Sequence, residues 1–339
     1  MNRSMLSRRG GVVATIASIA LVVSACSPGG AEPTPSGGAS SDKPMEAVAL
    51  TVGAVFTTAA VPLWIADEQG IFEKYALDVT ITQSPNFAAS APALLNGQMQ
   101  FANAATAPVI TAVDQNMPIQ IVAGVQAEQD DPSIGTNQVM VPKGSTVKRP
   151  KDLEGKTVAT SAVGSGPYVG VMANYLADGG AKDGINWVVM SLSELLPALE
   201  SGQIDAAIMS EPFTASARDA GFTAAFNAYH AKGVDAIPVG FTDAVLVASS
   251  DYLAKNAGVA ERMRSAMIEA NRYAQDNPDA VRALLVSRLQ LDKTTSEKVN
   301  LPAFVGEVQP ADIQSMVDAM LKVGLIKAEH DAADIVWLP

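Results

Sequence analysis

Hydroxyl, amide and aromatic side chains cluster in this chain where short apolar segments end. Hydroxyl and amide groups can form hydrogen bonds to a small molecule there, and neighbouring aromatic rings can wall it in. The alternative is that the serine, threonine and asparagine side chains only cap helices that begin at these points. We predict that the cluster binds a ligand through Phe56, Thr57, Thr58, Asn86, Phe87, Asn103, Ala104, Thr106, Ser161, Gly164, Ser165, Gly166, Tyr168, Ser210, Glu211 and Phe213.

One acid, Glu211, stands in this cluster, and no lysine or arginine accompanies it in the loops. Its carboxylate could pair with an amine or accept a hydrogen bond from a heterocycle's N–H group. It could equally favour the N-terminus of a helix that begins at Pro212. The helix N-termini of the cluster also offer N–H groups that suit an anionic group. Because a doubly charged anion would call for an arginine clamp, we predict a neutral, zwitterionic or singly charged ligand.

The sequence contains no recognisable catalytic pattern. Gly164-Ser165-Gly166 is not followed by the Gly-Lys-Ser/Thr of a P-loop, and Val169 stands where a dinucleotide-binding fingerprint has its third glycine. The chain has two histidines and one cysteine, too few for a Cys/His zinc site. His230 is expected in a surface loop. We therefore predict a binding protein and not an enzyme, with no cofactor and no metal.

Two related segments carry parts of this cluster. Ala93–Pro108 and Ala198–Pro212 share the pattern A-L-x-x-G-Q-[M/I]-x-x-A. Each predicts a helix that ends at Gly97 or Gly202, a short strand, a polar loop and a second helix with its proline at the first position. Ligands of open α/β sheets bind beyond the carboxyl ends of the strands. A repeated pair of this kind predicts two similar lobes that face one site.

Strand and helix patterns alternate in the same order around each copy of this repeat, which predicts an α/β fold with mostly parallel sheets. Residues 47–139 and 244–339 are expected to form the first lobe, and residues 140–243 the second. Gln138–Val141 and Thr242–Ser249 are expected to act as a two-stranded hinge. The amphipathic helices that follow the second of these strands are expected to cover the first lobe.

Composition narrows the class of partner. The chain has 339 residues, is 48% hydrophobic and carries a formal net charge of −12. An acidic chain of this kind lacks the clustered lysines and arginines that neutralise phosphates, so we exclude a nucleic-acid partner. The length suits two lobes, and we expect a monomer.

The N-terminus predicts export and anchoring. Residues 1–25 combine three arginines with a short apolar segment, Val12–Val23, as in a secretory signal peptide. The sequence V-S-A-C ends at Cys26 and resembles a bacterial lipobox, which implies lipidation of that cysteine. Residues 26–46 are rich in proline, glycine and serine and predict a flexible tether. We expect an exported protein, by the Sec or the twin-arginine route, with a lipid anchor on the outer face of the cytoplasmic membrane.

Five stretches of the chain, some of them within the repeated segments, resemble the solute-binding lipoproteins of bacterial ABC transporters. The resemblance is to the SsuA/THI5-like group for nitrate, sulfonates, taurine and thiamine-pyrimidine precursors. These stretches are Pro62–Val79, Leu94–Phe101, Lys151–Val158, Leu199–Ala206 and Glu211–Phe213. Two positions depart from the group's pattern. Ala76 stands where a glycine is usual, and Ser210 stands where many members carry a tryptophan.

The resemblance implies a type II periplasmic-binding-protein fold that closes by hinge motion around a small organic molecule. It also implies delivery of that molecule to a membrane permease driven by a cytoplasmic ATPase. A sulfonate, a carboxylate or a nitrogen heterocycle such as a pyrimidine is the expected ligand. Two alternatives remain: a lipoprotein that presents its ligand to a receptor, and an enzyme like the pyrimidine-precursor synthases on the same fold.

Overall fold

A computed structural model describes residues 46–129, 131–234, 236–237 and 241–338. The predicted signal peptide, the lipidation site Cys26 and all but the last residue of the predicted tether lie outside these residues. The strands are β1 (Val48–Ala54), β2 (Leu77–Gln83), β3 (Phe101–Ala105), β4 (Ile119–Ala127), β5 (Asn137–Val141), β6 (Thr157–Thr160), β7 (Asn186–Val189), β8 (Ala206–Ser210), β9 (Thr223–Asn227) and β10 (Thr242–Ser249).

The α-helices are α1 (Val61–Glu68), α2 (Ile71–Lys74), α3 (Phe87–Leu95), α4 (Thr106–Asp114), α5 (Gly166–Ala177), α6 (Leu192–Glu200), α7 (Phe213–Asp219), α8 (Ser250–Lys255), α9 (Ala257–Asp276), α10 (Pro278–Leu289), α11 (Lys293–Lys298), α12 (Pro310–Val323) and α13 (Ala332–Ile335). Short 3-10 helices occupy Thr58–Ala60, Pro132–Ile134 and Pro150–Leu153. No helix among these residues is long and apolar enough to span a membrane.

The strands form two five-stranded sheets of matching design. The first has the order β2-β1-β3-β10-β4, and the second has the order β7-β6-β8-β5-β9. In each sheet the first three strands are parallel and the fourth runs antiparallel to both of its neighbours. We call each sheet with its helices a lobe. The two halves of the chain therefore repeat one architecture, as the sequence repeat predicts.

The repeated segments occupy equivalent places in the two lobes, because β3 and β8 are both the third strand. Gly97 and Gly202 follow α3 and α6 with φ of 78° and 70°, the left-handed conformation that glycine adopts without a steric penalty. The prediction for the next helix is displaced at both prolines. The helix α4 begins at Thr106, two residues before Pro108, and α7 begins one residue after Pro212.

The chain passes between the lobes twice. It leaves β4 and enters the second sheet at Asn137, and it leaves β9 and enters the first sheet at Thr242. The two strands expected to form a hinge, β5 and β10, do not pair with each other; each is the antiparallel strand of a different sheet. The lobe boundaries expected after residues 139 and 243 consequently fall inside these two strands.

Helices cover both faces of each sheet. In the first lobe, α1 and α9 bury Trp64 and Met267 against one face of the sheet. In the second lobe, α6 and α7 bury Leu195 and Ala217 against one face. The other faces of both sheets contribute to one continuous apolar cluster that also takes in α4, α5 and α12. The two lobes therefore share part of their core.

The C-terminal helices only partly match the expectation that they cover the first lobe. The long helix α9 packs on α1 and β4, both in the first lobe. The helix α12 contacts α4 in the first lobe and also α5 in the second. Its buried side chains, among them Met316 and Met320, lie in the shared cluster.

Ala76, which stands where the group usually has a glycine, adopts a left-handed backbone conformation that favours glycine. Its φ is 51°, in the left-handed region where a Cβ atom is costly. The turn is held by Arg262, whose guanidinium donates to the Ala76 carbonyl at 2.9 Å, and by the N–H of Val48, which donates to the same carbonyl at 3.1 Å. The departure from the group's sequence therefore leaves the turn in place.

Candidate ligand-binding cleft

A cavity of about 430 Å³ lies between the two lobes. Its walls come from the carboxyl ends of the parallel strands β1, β3, β6 and β8 and from the segments that follow them. The antiparallel strands β5 and β10 begin at the same edges, so their first residues also reach the cavity. Both lobes thus contribute the strand edges at which ligands of α/β proteins bind.

Ten of the sixteen predicted residues line this cavity. They come from both lobes and include most of the predicted hydroxyl groups. These residues are Phe56, Thr57, Thr58, Asn103, Ser161, Ser165, Gly166, Ser210, Glu211 and Phe213.

Three of the other predicted residues lie in the first lobe away from the cavity. Asn86 caps α3, where its side chain accepts a hydrogen bond from the N–H of Ala89 at 3.0 Å. Phe87, at the first position of that helix, is buried in the shared apolar cluster. Ala104 pairs with Val245 inside the sheet and is 1% exposed. The predicted polar loop after β3 is absent because the strand extends to Ala105 and runs directly into α4.

The remaining three serve the packing of helices. Thr106 opens α4, and its hydroxyl donates to the Thr242 carbonyl at 2.6 Å. Gly164 forms a turn before α5, with φ of 86°. Tyr168 packs on Trp187 with ring centroids 4.7 Å apart, and burial raises the pKa of its hydroxyl. The side chains of Thr106 and Tyr168 are therefore engaged within the protein, and all three residues lie outside the lining of the cavity.

The first-lobe wall is a chain of hydrogen bonds that ends on an acid. The Thr58 hydroxyl donates to the Gln126 side-chain oxygen at 3.3 Å, and the Gln126 amide donates to Asp243 at 3.4 Å. Beside them Asn103 donates to the Ala59 carbonyl at 2.7 Å. All four of these side chains are buried or nearly so. The wall therefore presents polar groups that are already held in fixed orientations.

The second-lobe wall carries a comparable network. The Ser210 hydroxyl donates to the Asn137 side-chain oxygen at 2.5 Å. The Asn137 amide in turn donates to Glu128 at 2.6 Å, and Glu128 also accepts from the backbone N–H of Thr136 at 3.0 Å. Because a serine and not a tryptophan occupies position 210, this part of the cavity wall is polar.

Glu211 is held within the protein by three partners. Its carboxylate pairs with Arg218 at 2.7 Å and accepts from the N–H of Ala215 in α7 at 3.3 Å. It also accepts from the N–H of Asn300 at 3.2 Å. Glu211 therefore favours the N-terminus of its helix, one of the two roles open from the sequence, and its charge is compensated. A second ion pair beside it joins Lys298 to Asp219 at 2.8 Å.

Asp243 was absent from the predicted set, and it is the second acid on the cavity wall. It stands near the start of β10, a strand that is antiparallel to its neighbours and so begins where they end. The Tyr229 hydroxyl donates to its carboxylate at 2.6 Å. Burial is the largest cause that raises the pKa of Asp243 to about 6, and the negative charge of Glu128 is the second largest. Burial and the Asp243 carboxylate also raise the pKa of Tyr229.

Asp243 could have been found by asking which strands run against the others. Gln126, Thr136 and Asn137 were missed for related reasons, since they lie at the end of β4 and at the start of β5. His230 was expected in a surface loop, but it is buried in the passage from β9 to β10. Its backbone N–H donates to the Asn227 side chain at 3.2 Å, and that passage packs against α5.

The arrangement is that of a binding site. The cavity offers hydroxyl groups, amides and two carboxylates between aromatic and aliphatic side chains such as Phe56 and Leu289. Such a mixture fixes the orientation of a small molecule and shields it from water. Within the described residues, no group of three or more histidine, cysteine and acidic side chains is placed to hold a metal ion.

Comparison with known proteins gives three relevant similarities. Residues 57–281 match the family model described as NMT1/THI5 like. The taurine-binding periplasmic protein of Escherichia coli (strain K12) is 26% identical over 243 residues, which is 69% of this chain and 69% of that protein. The aliphatic sulphonate binding protein SsuA from Escherichia coli superposes with a TM-score of 0.72 and 17% identity, covering 85% of this chain and 97% of that one.

A further solved structure gives the same result. The alkanesulfonate-binding protein SsuA from Xanthomonas axonopodis pv. citri, bound to MOPS, has a TM-score of 0.69 and 18% identity. The superposition covers 86% of this chain and 99% of that one. At these identities the likeness establishes the fold.

Proposed function

This chain belongs to the NMT1/THI5-like family and has the periplasmic-binding-protein fold, and from that premise we propose that it is the solute-binding component of an ABC importer. It captures a small organic molecule between its lobes and delivers that molecule to a membrane permease powered by a cytoplasmic ATPase. The ligand classes that the family resemblance implies are sulfonates, carboxylates and nitrogen heterocycles. The protein binds its ligand without chemical change, as its taurine-binding relative is named for binding.

The observation that carries this proposal is the position of the cavity. It is bounded by equivalent strand edges of two similar sheets, with Thr58 on one side and Ser210 on the other. A ligand in this place touches both lobes at once. It therefore binds the closed arrangement better than an open one, which is the condition for a ligand to drive closure.

We propose that residues 47–136 and 242–338 form the first lobe and that residues 137–241 form the second. These boundaries differ from the expected ones because they are placed at the two passages between the sheets. Anchoring through Cys26, export and a monomeric state remain part of the proposal. A lipid anchor at the N-terminus keeps such a receptor close to its permease. The shared apolar cluster around α12 supplies a fixed contact about which the lobes could turn.

The proposal is tested by a thermal-shift screen of the purified full chain against small metabolites, followed by small-angle scattering with each hit. We expect hits to raise the melting temperature and to reduce the radius of gyration. Leu291→Trp, which places an indole in the cavity wall, should remove both effects. Leu338→Trp is the matched control, because Leu338 is exposed and lies outside the cavity lining. Hits that survive Leu291→Trp unchanged, or the absence of any hit, would contradict the proposal.

A further inference from the structure

The charged residues on the cavity wall are both acidic. They are Asp243 in the first lobe and Glu211 in the second, and no lysine or arginine lines the cavity in the part of the chain that the structure describes. Sulfonates and carboxylates are usually held by arginine, by lysine or by free N–H groups at helix N-termini. With basic side chains missing from the wall, an anion would depend on the helix N-termini.

Two of the helix N-termini at the cavity, those of α7 and α5, already lie beside the chain's own carboxylates. At the start of α7, Glu211 accepts the N–H of Ala215 at 3.3 Å. At the start of α5, a Cβ atom built on Gly166 would lie 3.2 Å from a carboxylate oxygen of Asp243. Asp243 therefore occupies the space beside the positive end of that helix. A second anion there would meet like charge.

The two acids differ in how their charge is compensated. Glu211 has Arg218 at 2.7 Å. The polar partners of Asp243 are the neutral groups of Tyr229 and Gln126, at 2.6 and 3.4 Å, and the described residues contain no ion pair to it. The charged neighbour that acts on it is the acid Glu128, and burial raises the pKa of Asp243 to about 6. Asp243 is thus a buried carboxylate that no cation among the described residues pairs with, and a cationic group in the cavity would stabilise its charge.

We propose that Asp243 selects a ligand with a positively charged nitrogen group, such as an amine, an amidine or a protonated amino-heterocycle, and that the cleft rejects sulfonates and carboxylates. This inference rests on the proposed function and narrows its ligand class. The ligand nitrogen supplies the charge partner that Asp243 lacks, while the surrounding hydroxyls and amides bind the neutral part of the molecule.

The test measures affinity by titration calorimetry for two sets of probes that share a skeleton and differ in charge. One set is benzamidine, benzamide and benzenesulfonate; the other is butylamine, butanol and butanesulfonate. Cationic members should bind at least about tenfold more tightly than their neutral and anionic counterparts. Asp243→Asn should remove that advantage and leave the neutral probes within about threefold. Asp183→Asn removes one charge at an exposed site outside the cavity lining, and it should change nothing.

Acid provides a second measurement that needs no variant. Protonation of Asp243, whose pKa is about 6, should weaken binding of the cationic probe about tenfold between pH 7.5 and pH 5. Glu128, Tyr229 and the N-terminus of α5 also face this carboxylate, and His230 is the next residue in the chain after Tyr229. The affinity of the Asp243→Asn variant for the cationic probe should be independent of pH, which would assign the pH dependence of the wild type to this carboxylate.

Three outcomes are distinct. Preferred binding of cationic probes that depends on Asp243 supports the inference. Tighter binding of the sulfonates than of the amines overturns it and leaves the receptor function standing. No binding by any probe, together with no hit in the metabolite screen, overturns the receptor function and this inference with it.

Discussion

Replacing Asp243 by asparagine should stabilise the empty protein at pH 8 and leave its stability almost unchanged at pH 4.5. The pKa of Asp243 is raised from 3.8 to about 6 in the folded protein, so the folded state holds its proton more tightly than the unfolded state. The charged carboxylate therefore destabilises the fold. This penalty is absent below pH 3.8, grows as the pH rises to about 6 and is constant above that.

The magnitude follows from the size of the pKa change. A rise from 3.8 to about 6 corresponds to about 3 kcal/mol of penalty at pH 8, and to about 1 kcal/mol at pH 4.5. Asparagine removes the charge but replaces the oxygen that accepts from Gln126 at 3.4 Å, which costs about 1 kcal/mol. The variant should thus be about 2 kcal/mol more stable than the wild type at pH 8 and about equal at pH 4.5.

The measurement is urea unfolding of protein that has been refolded from denaturant to remove retained ligand. Asp183→Asn, which changes the same charge at an exposed site, should show no difference from the wild type at either pH. A stability difference for Asp243→Asn that is the same at pH 4.5 and pH 8 would refute the reasoning, because it would show that the carboxylate carries no penalty of burial.

Two further pairs of substitutions test features that stabilise the fold: the ion pair of Glu211 and the backbone conformation of Ala76. Arg218→Ala should lower the free energy of unfolding by about 3 kcal/mol, because it leaves Glu211 buried without its cation. Lys255→Ala breaks an exposed ion pair and should lower it by less than about 0.5 kcal/mol. Equal losses for the two variants in urea unfolding would contradict this prediction. Ala76→Gly should raise the free energy of unfolding by about 1 kcal/mol and with it the melting temperature, since φ is 51° at this position. Gly70→Ala, at a φ of 67°, should lower both by a similar amount. Melting-temperature shifts of the same sign would argue against backbone strain as the cause.

The repeat and its glycines were accessible from the sequence because they depend on local physics. Gly97 and Gly202 end their helices in a conformation that few other residues adopt easily. The strands expected at Gln138–Val141 and Thr242–Ser249 lie within one residue of their observed bounds. The polar loop predicted after β3 is absent, because the strand extends further than its apolar run suggests and the side chain of its polar residue, Asn103, is buried with a hydrogen bond to the Ala59 carbonyl.

Part of the cleft's chemistry was not accessible in this way. Asp243, Gln126 and Asn137 reach the cavity because two strands run antiparallel to the rest. Strand direction is decided by which partner strand the chain meets after it changes lobe, and no local pattern records that. The burial of His230 was also not accessible, since the passage that contains it packs against α5, a helix distant in sequence.

The position of β10 has a consequence for the order in which the protein folds. The second sheet uses a continuous stretch, from Asn137 to Asn227, whereas the first sheet needs β10 between β3 and β4. During synthesis or translocation from the N-terminus, the first sheet stays incomplete until Ser249 has emerged. The second sheet can close earlier, and pairing across so long a loop is slow. The edges of β3 and β4 are therefore exposed longest, and a chaperone that bound the incomplete chain would protect it there.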